Sequence, residues 1–337
     1  MTAQRTPPPS GSVWDHVGNT PLLRIRSLSE ASGCEILGKA EFLNPGGSVK
    51  DRAAKGIIAD AEVRGLLRPG FTIVEGTAGN TGIGLATLAA ERGYKVLLTL
   101  PSDQAPEKYD LLRTLGADIR LVAPVPFANP AHFYHQAKRL AAELPDAYWA
   151  NQFENTANGD FHFATTGPEI WEQTGGHVDL FTCAVGSSGT LSGISRALKA
   201  RCPGVHIVIA DPCGSGMFSY KTTGVIASEG SSVTEGIGIM RLTENFRAVE
   251  ADDALRVSDQ EMIDMVFHLA AKDGLFLGTS SGLNVAAAWR LALAHRGQGK
   301  VIVTVLADAG SRYASRLLNP EWRQQKALEP RPLDLTA

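Results

Sequence analysis

The sequence contains no long apolar segment and carries little net charge. Of its 337 residues, 44% are hydrophobic and 20% are charged, and the formal net charge is −3. A membrane-spanning helix needs about 18 or more consecutive apolar residues, and no such run occurs. The weak negative charge gives no electrostatic reason to expect nucleic acid or an anionic membrane as a partner. The composition is that of an ordinary globular protein, with a somewhat high count of 35 glycines.

Cysteine is scarce, and its spacing excludes the common structural uses of thiols. The CxxC, CxxCH and zinc-finger patterns are all missing. We therefore expect reduced thiols and no metal site at the four cysteines, which are Cys34, Cys183, Cys202 and Cys213. The first 17 residues (MTAQRTPPPSGSVWDHV) also lack the apolar core of a signal peptide. A cytoplasmic location is expected, and an organellar matrix would fit equally well.

Strand-like and helix-like segments alternate along most of the chain. Strands are predicted at 72–75, 95–100, 119–122, 178–185, 206–211 and 301–306, and helices at 81–92, 107–115, 190–200 and 281–294. The alternation favours parallel sheets covered by helices, and the length suggests two domains. Residues 215–246, rich in Gly, Ser and Thr, are predicted to form a long functional loop region.

One lysine stands in an unusual local context. Lys50 lies in residues 44–52 (NPGGSVKDR), directly after a Pro-Gly-Gly turn and before an Ala-rich helical stretch. At such a junction a lysine can point into a cleft, where desolvation leaves a neutral amine able to form a Schiff base with an aldehyde. For this residue taken alone, the alternative is an ordinary surface lysine at a helix start.

Two polar turns with glycine join a predicted strand to a predicted helix, where backbone N–H groups can converge on an anion. Residues 186–190 (GSSGT) lack the Lys-Ser or Lys-Thr pair of a nucleotide P-loop, so a monoester phosphate is the expected ligand. A plain tight connection is the alternative. Residues 77–82 (TAGNTG) could bind a second anion, such as a substrate carboxylate. A dinucleotide fold is disfavoured because Gly82 and Gly84 lie within the predicted helix and no third glycine follows.

A third polar turn and an aspartate also follow the alternating pattern. Residues 278–282 (GTSSG) open onto an Ala-rich helix, and Asp308 follows the last predicted strand. Ligands in open parallel sheets gather at the carboxyl ends of the strands. The turn and Asp308 could therefore contact a ligand, or they could simply cap the helices that follow.

Together these segments resemble the cysteine synthase and cystathionine β-synthase branch of the fold type II, or tryptophan-synthase-β-like, pyridoxal-phosphate enzymes. The similarity runs from residues 17–22 (VGNTPL) to 308–313 (DAGSRY), and residues 44–52 are its most specific part. The resemblance implies an α/β protein with two three-layer αβα domains and mostly parallel sheets. The predicted organisation is a flexible segment at 1–12, a smaller domain at 47–155 with a mobile part that closes on substrate, a larger cofactor-binding domain at 13–46 and 156–320, and a tail at 321–337.

By position, the resemblance implies that Lys50 forms the Schiff base with pyridoxal 5′-phosphate and that Asn80 hydrogen-bonds the cofactor's 3′-oxygen. Ser280 would face the pyridine nitrogen and leave it unprotonated, which favours elimination over transamination. The cofactor phosphate would be held by Gly186, Ser187, Ser188, Gly189 and Thr190. The substrate's α-carboxylate would be cradled by Thr77, Ala78, Gly79, Thr81 and Gln152.

The implied reaction is β-replacement. Freed by the substrate's amino group, Lys50 would remove the α-proton, the β-substituent would leave, and a thiol would add to the resulting aminoacrylate. With O-acetyl-L-serine and sulfide the products are L-cysteine and acetate, so cysteine synthase is the leading hypothesis. Cysteine desulfhydrase, S-sulfocysteine synthase and cystathionine β-synthase share the intermediate and stay open, as does a non-catalytic partner-binding relative. The family also implies a homodimer, and serine acetyltransferase as a partner.

Several departures from the family's usual pattern bear on substrate more than on cofactor. Ala78 removes one hydroxyl from the carboxylate loop, a loss on the order of 1 kcal/mol for a neutral hydrogen bond. Gln104 and Ala105 replace a Met-Ser pair of the mobile lid, and GSSGT replaces the commoner GTGGT while keeping hydroxyls. Arg241 stands where many relatives have an apolar pair ending in Pro. It could bind an anionic co-substrate or lie on the surface.

Overall fold

The structure is a computed structural model that describes residues 11–335. The prediction of a flexible segment at 1–12 falls largely on residues 1–10, which lie outside the described residues. The strands are β1 (Leu22–Arg24), β2 (Glu35–Ala40), β3 (Thr72–Gly76), β4 (Lys95–Pro101), β5 (Asp118–Val122), β6 (Ala147–Trp149), β7 (Leu180–Ala184), β8 (His206–Pro212), β9 (Asp253–Val257) and β10 (Val301–Leu306).

Helices connect most of these strands. They are α1 (Arg26–Ser32), α2 (Lys50–Val63), α3 (Asn80–Arg92), α4 (Pro106–Thr114), α5 (Phe133–Glu143), α6 (Ala157–Ala164), α7 (Thr166–Gln173), α8 (Gly189–Arg201), α9 (Met217–Thr223), α10 (Glu244–Arg247), α11 (Asp259–Asp273), α12 (Thr279–Ala294), α13 (Ala314–Leu317) and α14 (Pro320–Gln325). Local sequence sets several of their ends. For example, Ser258 and Glu261 form a capping box at the start of α11, and Gly274 ends it with a φ of 71°.

A six-stranded sheet has the order β1-β2-β10-β7-β8-β9. Only the edge pair β1 and β2 is antiparallel among these neighbours. Alternate residues of the central strand β10 enter two separate cores: Ile302 packs with α1, α11 and α12, whereas Val303 packs with α7 and α8. Because successive residues of a strand face opposite sides, helices cover both faces and the unit has three layers.

A four-stranded parallel sheet has the order β5-β4-β3-β6. Ile73 of β3 packs with α2, α3 and α4, while the next residue, Val74, packs with α5 on the opposite face. The prediction of two three-layer, mostly parallel α/β units is therefore confirmed. Because all these strands except the edge pair are parallel, their carboxyl ends gather on one side of each sheet.

The predicted strands and helices agree with the observed bounds to within two residues. The loop prediction for 215–246 was wrong in part, because α9 occupies 217–223 and α10 begins at Glu244. Burial of Met217 and a hydrogen bond from the Phe218 N–H to Asp211 Oδ2 (2.7 Å) hold α9. A helix of seven residues shows too little periodicity to be recognised in the sequence. The predicted tail at 321–337 starts inside α14, and the domain boundaries stay predictions. Among the helices of residues 11–335, none combines the length and apolar character needed to cross a membrane.

Candidate active site

A cavity of about 330 Å³ lies where the carboxyl ends of strands from both sheets meet. It is bordered by residues that follow β3 and β7, namely Thr77 and Gly186, and by Ala307 after β10. All the residues predicted to bind cofactor or substrate line this cavity except Gly189. Gly189 is instead pressed against Asn158, where an added Cβ would lie 2.2 Å from the Asn158 Cγ.

Lys50 is the first residue of α2 and borders the cavity. Its side chain is half-buried and is partly exposed to this cavity. The protein atoms packed around the amine lower the pKa of Lys50 by desolvation. The nearby Cys183 thiol and Asp308 carboxylate act in the opposite direction and raise the pKa of Lys50. The surface alternative for this residue is therefore wrong, and the amine is biased toward its neutral, nucleophilic form.

The turn at 186–190 is shaped by backbone geometry. Ser188 has a φ of 75°, and a Cβ at Gly186 would lie 2.2 Å from the carbonyl oxygen of Gly236. Only glycine leaves room at position 186. The turn leads directly into α8, whose first N–H groups have no partner within the helix and favour an anion.

Side chains from distant segments fix the hydroxyls of this turn. Asn158 Nδ2 donates to Ser187 Oγ (3.0 Å), and Thr243 Oγ1 donates to Ser188 Oγ (3.3 Å). Thr190 Oγ1 lies 3.2 Å from His162 Nε2. Sequence reasoning missed these three supports, because each is at least 28 residues away in the chain and no local signal marks it.

The Asn80 amide is oriented by two charged groups. Its Nδ2 donates to Asp308 Oδ2 (2.7 Å), and its Oδ1 accepts from Arg312 Nη1 (2.6 Å). Since a carboxylate only accepts and a guanidinium only donates, the amide cannot be flipped, and one N–H of Nδ2 stays available for a ligand. Tyr313 also donates to Asp308 Oδ2 (2.6 Å). The Asp308 carboxylate thus accepts from side chains and, among the described residues, caps no helix. Sequence reasoning missed the contacts that Arg312 and Tyr313 make here.

The loop between β3 and α3 forms the opposite wall. Gly79 has a φ of 127°, and its N–H donates to Thr77 Oγ1 (3.0 Å). Thr81 Oγ1 donates to Gln152 Oε1 (2.6 Å), and Gln152 Nε2 donates to Glu75 Oε1 (3.2 Å). Burial raises the pKa of Glu75 to about 8. The loop is a rigid set of N–H groups suited to a carboxylate, and Ala78 adds only a methyl group to it.

The turn at 278–282 presents one hydroxyl to the cavity and buries the next. Ser280 lines the cavity, and within residues 11–335 its hydroxyl has no hydrogen-bond partner. Ser281 is fully buried; its Oγ accepts from the Ala307 N–H (2.8 Å). The helix itself begins after Gly278, so Ser280 is not an N-cap. It remains free to contact a bound group.

The mouth of the cavity carries the departures from the family pattern. Arg241 lines the wall, and its side chain is only 21% exposed, so it is no ordinary surface residue. Gln104 also lines the wall, and the Ala105 N–H donates to Glu235 Oε1 (3.2 Å). The same carboxylate pairs with Lys108 Nζ (2.6 Å). Residues near the lid are therefore tied to the segment that leads to Arg241.

The residues present fit pyridoxal phosphate on structural grounds alone. A desolvated lysine that can react with an aldehyde stands in the same cavity as a phosphate-sized turn. The oriented amide of Asn80 offers one N–H, which suits a phenolate oxygen, and Ser280 offers a neutral hydroxyl, which suits an unprotonated ring nitrogen. The donors thus match the functional groups of this cofactor.

Comparison with known proteins agrees with this site. The family model described as pyridoxal-phosphate dependent enzyme matches residues 13–308. Cysteine synthase 1 of Neurospora crassa is 53% identical over 317 residues, covering 93% of this chain and 84% of that protein. The solved O-acetylserine dependent cystathionine beta-synthase of Helicobacter pylori has a TM-score of 0.81 and 32% identity, over 90% of this chain and 97% of that one. A hydrogen sulfide-producing enzyme of Fusobacterium nucleatum has a TM-score of 0.84 and 31% identity, over 90% and 99%. The chain belongs to the pyridoxal-phosphate dependent enzymes, with the fold type II architecture.

Proposed function

We propose that this protein is a cysteine synthase that converts O-acetyl-L-serine and sulfide to L-cysteine and acetate. The observation that carries the proposal is the desolvated amine of Lys50, placed in one cavity with a phosphate-sized turn and a carboxylate-sized loop. The identity of 53% to a cysteine synthase over most of both chains supports the choice of substrates.

In this proposal the cofactor is anchored at separate points. Lys50 binds it covalently, Asn80 contacts its 3′-oxygen and Ser280 contacts its ring nitrogen. Its phosphate is held by the turn residues Gly186, Ser187, Ser188, Gly189 and Thr190. When bound, pyridoxal phosphate supplies an electrophilic carbon for the substrate's amino group and a sink for the electrons left by proton removal.

Lys50 is the general base. Its Nζ takes the α-proton of the bound amino acid, which requires an amine that is neutral near physiological pH. Desolvation lowers the pKa of Lys50 in that direction. The acetate group then leaves from the β-carbon, and the hydrosulfide sulfur bonds to the same carbon.

The carboxylate loop positions the substrate. The N–H groups of Ala78 and Thr81, with the hydroxyl of Thr77, bind the α-carboxylate, while Gly79 gives the loop its turn. Gln152 lines the same site and supports the loop, because its side chain donates to Glu75 and accepts from the Thr81 hydroxyl. The segment around Gln104 and Ala105 closes over the mouth and excludes water, which protects the reacting carbon from hydrolysis.

The proposal extends to assembly and location. A homodimer, docking of the C-terminal tail of serine acetyltransferase in the cavity, and a cytoplasmic location are expected from the family resemblance and the sequence. Light scattering on purified protein tests the first. Titration with a peptide of the acetyltransferase tail tests the second, since it should compete with O-acetylserine. Fractionation of cells tests the third.

The central experiment follows the visible absorbance of the purified holoenzyme. O-acetylserine should shift the cofactor band, and sulfide should restore it with release of cysteine, whereas Lys50→Ala should lose the starting band. If only cysteine or serine shifts the band, the protein is a desulfhydrase or a cystathionine β-synthase. Protein that fails to bind pyridoxal phosphate at all would contradict the role of Lys50.

A further inference from the structure

The guanidinium of Arg241 is held in the cavity wall by aromatic side chains. Its Cζ lies 4.4 Å from the ring centre of Phe127, 5.0 Å from that of Tyr134 and 5.2 Å from that of Phe153. Such stacking favours a guanidinium over an ammonium, because the planar group covers the rings while its edges remain open to hydrogen bonding. The side chain is therefore preorganised in one position.

A single carboxylate tethers this guanidinium. Arg241 Nη1 donates to Glu154 Oε1, while Glu154 Oε2 accepts from the N–H of Glu244 (2.8 Å). Within residues 11–335, the Nε and Nη2 groups of Arg241 have no hydrogen-bond partner. Donors on two nitrogens therefore remain available at the wall of the cavity.

The other cationic groups of the cavity are already engaged. Lys108 is buried in its ion pair with Glu235, and Lys50 has the cofactor role. Burial, with His135 and Arg241 nearby, lowers the pKa of His132 to about 4, so its ring is neutral at pH 7. Among the described residues that line the cavity, Arg241 is thus the cation that keeps whole nitrogens, Nε and Nη2, without a hydrogen bond.

We propose that Arg241 binds the carboxylate or sulfonate of an anionic thiol that serves as the second substrate. This inference rests on the proposed β-replacement. O-acetylserine brings no second negative charge to Arg241, because its carboxylate is assigned to the loop at 77–81 and its acetyl ester is neutral. A thiol of the form HS–R–COO⁻ that enters through the mouth would bring its anionic end to Arg241 and its sulfur to the reacting carbon.

The overall step balances without any redox partner. The C–O bond to the acetyl group breaks and its electron pair leaves with acetate. The sulfur lone pair forms the new C–S bond, and the thiol proton is released. With such a thiol the product is an S-substituted cysteine, whereas sulfide gives cysteine itself.

The test compares nucleophiles in the purified holoenzyme at saturating O-acetylserine. The anionic thiols are 2-mercaptoacetate and 2-mercaptoethanesulfonate, and the neutral controls are 2-mercaptoethanol and 3-mercapto-1,2-propanediol. Arg241→Met keeps apolar packing on the rings. We expect this variant to raise KM for both anionic thiols by about 10-fold or more, because a charge-assisted hydrogen bond is lost. KM for the neutral controls should stay within about 2-fold of the wild-type value.

A second variant guards against a packing defect. Arg241→Lys keeps the positive charge but loses the planar guanidinium, so KM for the anionic thiols should lie between the values for the wild type and Arg241→Met, with 2-mercaptoethanol unchanged. Equal shifts for anionic and neutral thiols in Arg241→Met would overturn the proposal and leave Arg241 a structural role. So would a rise in KM confined to O-phosphoserine, tested with sulfide, because the subsite would then serve the leaving group. Failure of the proposed function is distinct: the wild-type protein would release no cysteine from O-acetylserine and sulfide.

Discussion

Asp308 is a fully buried carboxylate that acts on both Lys50 and Asn80. Its Oδ2 accepts from Asn80 and Tyr313, whereas Oδ1 has no partner among the described residues. A buried charge with few donors is costly, and it persists where its field is useful. Here that field raises the pKa of Lys50 and opposes the effect of desolvation.

Asp308→Asn should therefore lower the pKa of the Lys50 amine. The asparagine can still accept from Asn80, but the charge that favours the ammonium form is gone. The midpoint of the pH dependence of cofactor reloading into the apoprotein should therefore move to lower pH. Asp110→Asn, at an exposed carboxylate, is the control. An unchanged or higher midpoint would show that Asp308 does not act on this amine.

Asp51, next to Lys50, should make stability depend on pH. Burial raises its pKa from 3.8 to about 7, although Arg312 and the N–H of Gly46 act in the opposite direction. Because the folded-state pKa is raised, the contribution of Asp51 to stability is complete below 3.8 and is lost as pH rises through about 7.

Asp51→Asn mimics the protonated form and should remove this dependence. Between pH 5 and pH 8 the free energy of unfolding of the wild type should fall relative to that of the variant by about 2 kcal/mol. Urea titrations of both proteins at the two pH values measure the difference. A difference that does not change with pH would mean that Asp51 is already ionised at pH 5.

Helix α2, which carries Lys50 in its first turn, is anchored by a buried ion network. Arg52 Nε pairs with Glu41 Oε2 (2.7 Å), and its Nη2 pairs with Glu169 Oε2 (2.7 Å). Lys39 Nζ lies 2.7 Å from the same oxygen of Glu169. Such a network need not be more stable than apolar packing, but removing one member leaves charges buried without compensation.

Arg52→Met should lower the free energy of unfolding by about 3–5 kcal/mol, since Glu41 loses its cationic partner. The matched control on the same helix is Arg64→Met, which breaks the exposed pair with Asp60 and should cost less than about 1 kcal/mol. Urea denaturation measures both. Similar losses in the two variants would mean that the buried network adds nothing beyond a surface pair. Cofactor retention should fall only in Arg52→Met, because that change loosens the start of α2.

The elements of the fold were largely predictable, and the supports of the site were not. Strands of a parallel sheet are buried on both faces, so segments such as Val301–Leu306 read as continuous apolar runs. The loops that line the cavity directly follow these strands, so their place in the sequence could be predicted once the strands were recognised. His162, in contrast, lies on α6 and contacts Thr190 of the turn at 186–190. Thr243, the residue before α10, donates to Ser188 of the same turn. Such contacts depend on how helices pack and leave no pattern in the local sequence.

Across the whole molecule, one carboxylate joins the side of the cavity formed by the smaller sheet to the larger sheet. Glu235 is only 6% exposed and accepts from the Ala105 N–H, Lys108 Nζ and Arg316 Nη1. Ala105 and Lys108 lie in the connection between β4 and β5 of the smaller sheet. Arg316 follows β10 of the larger sheet. The closure proposed above would therefore depend on a charge that both sides share.

Glu235→Gln should weaken this closure without disturbing the cofactor. The amide keeps one acceptor but loses its charge, so Lys108 and Arg316 repel each other across it, and the open form gains population. We expect KM for O-acetylserine to rise by about 10-fold, with cofactor content unchanged. Glu229→Gln, which removes the exposed partner of Arg256, is the control and should leave KM unchanged. If cofactor content falls together with affinity, Glu235 stabilises the cavity as a whole; a rise in KM alone assigns it to the movement that covers the substrate.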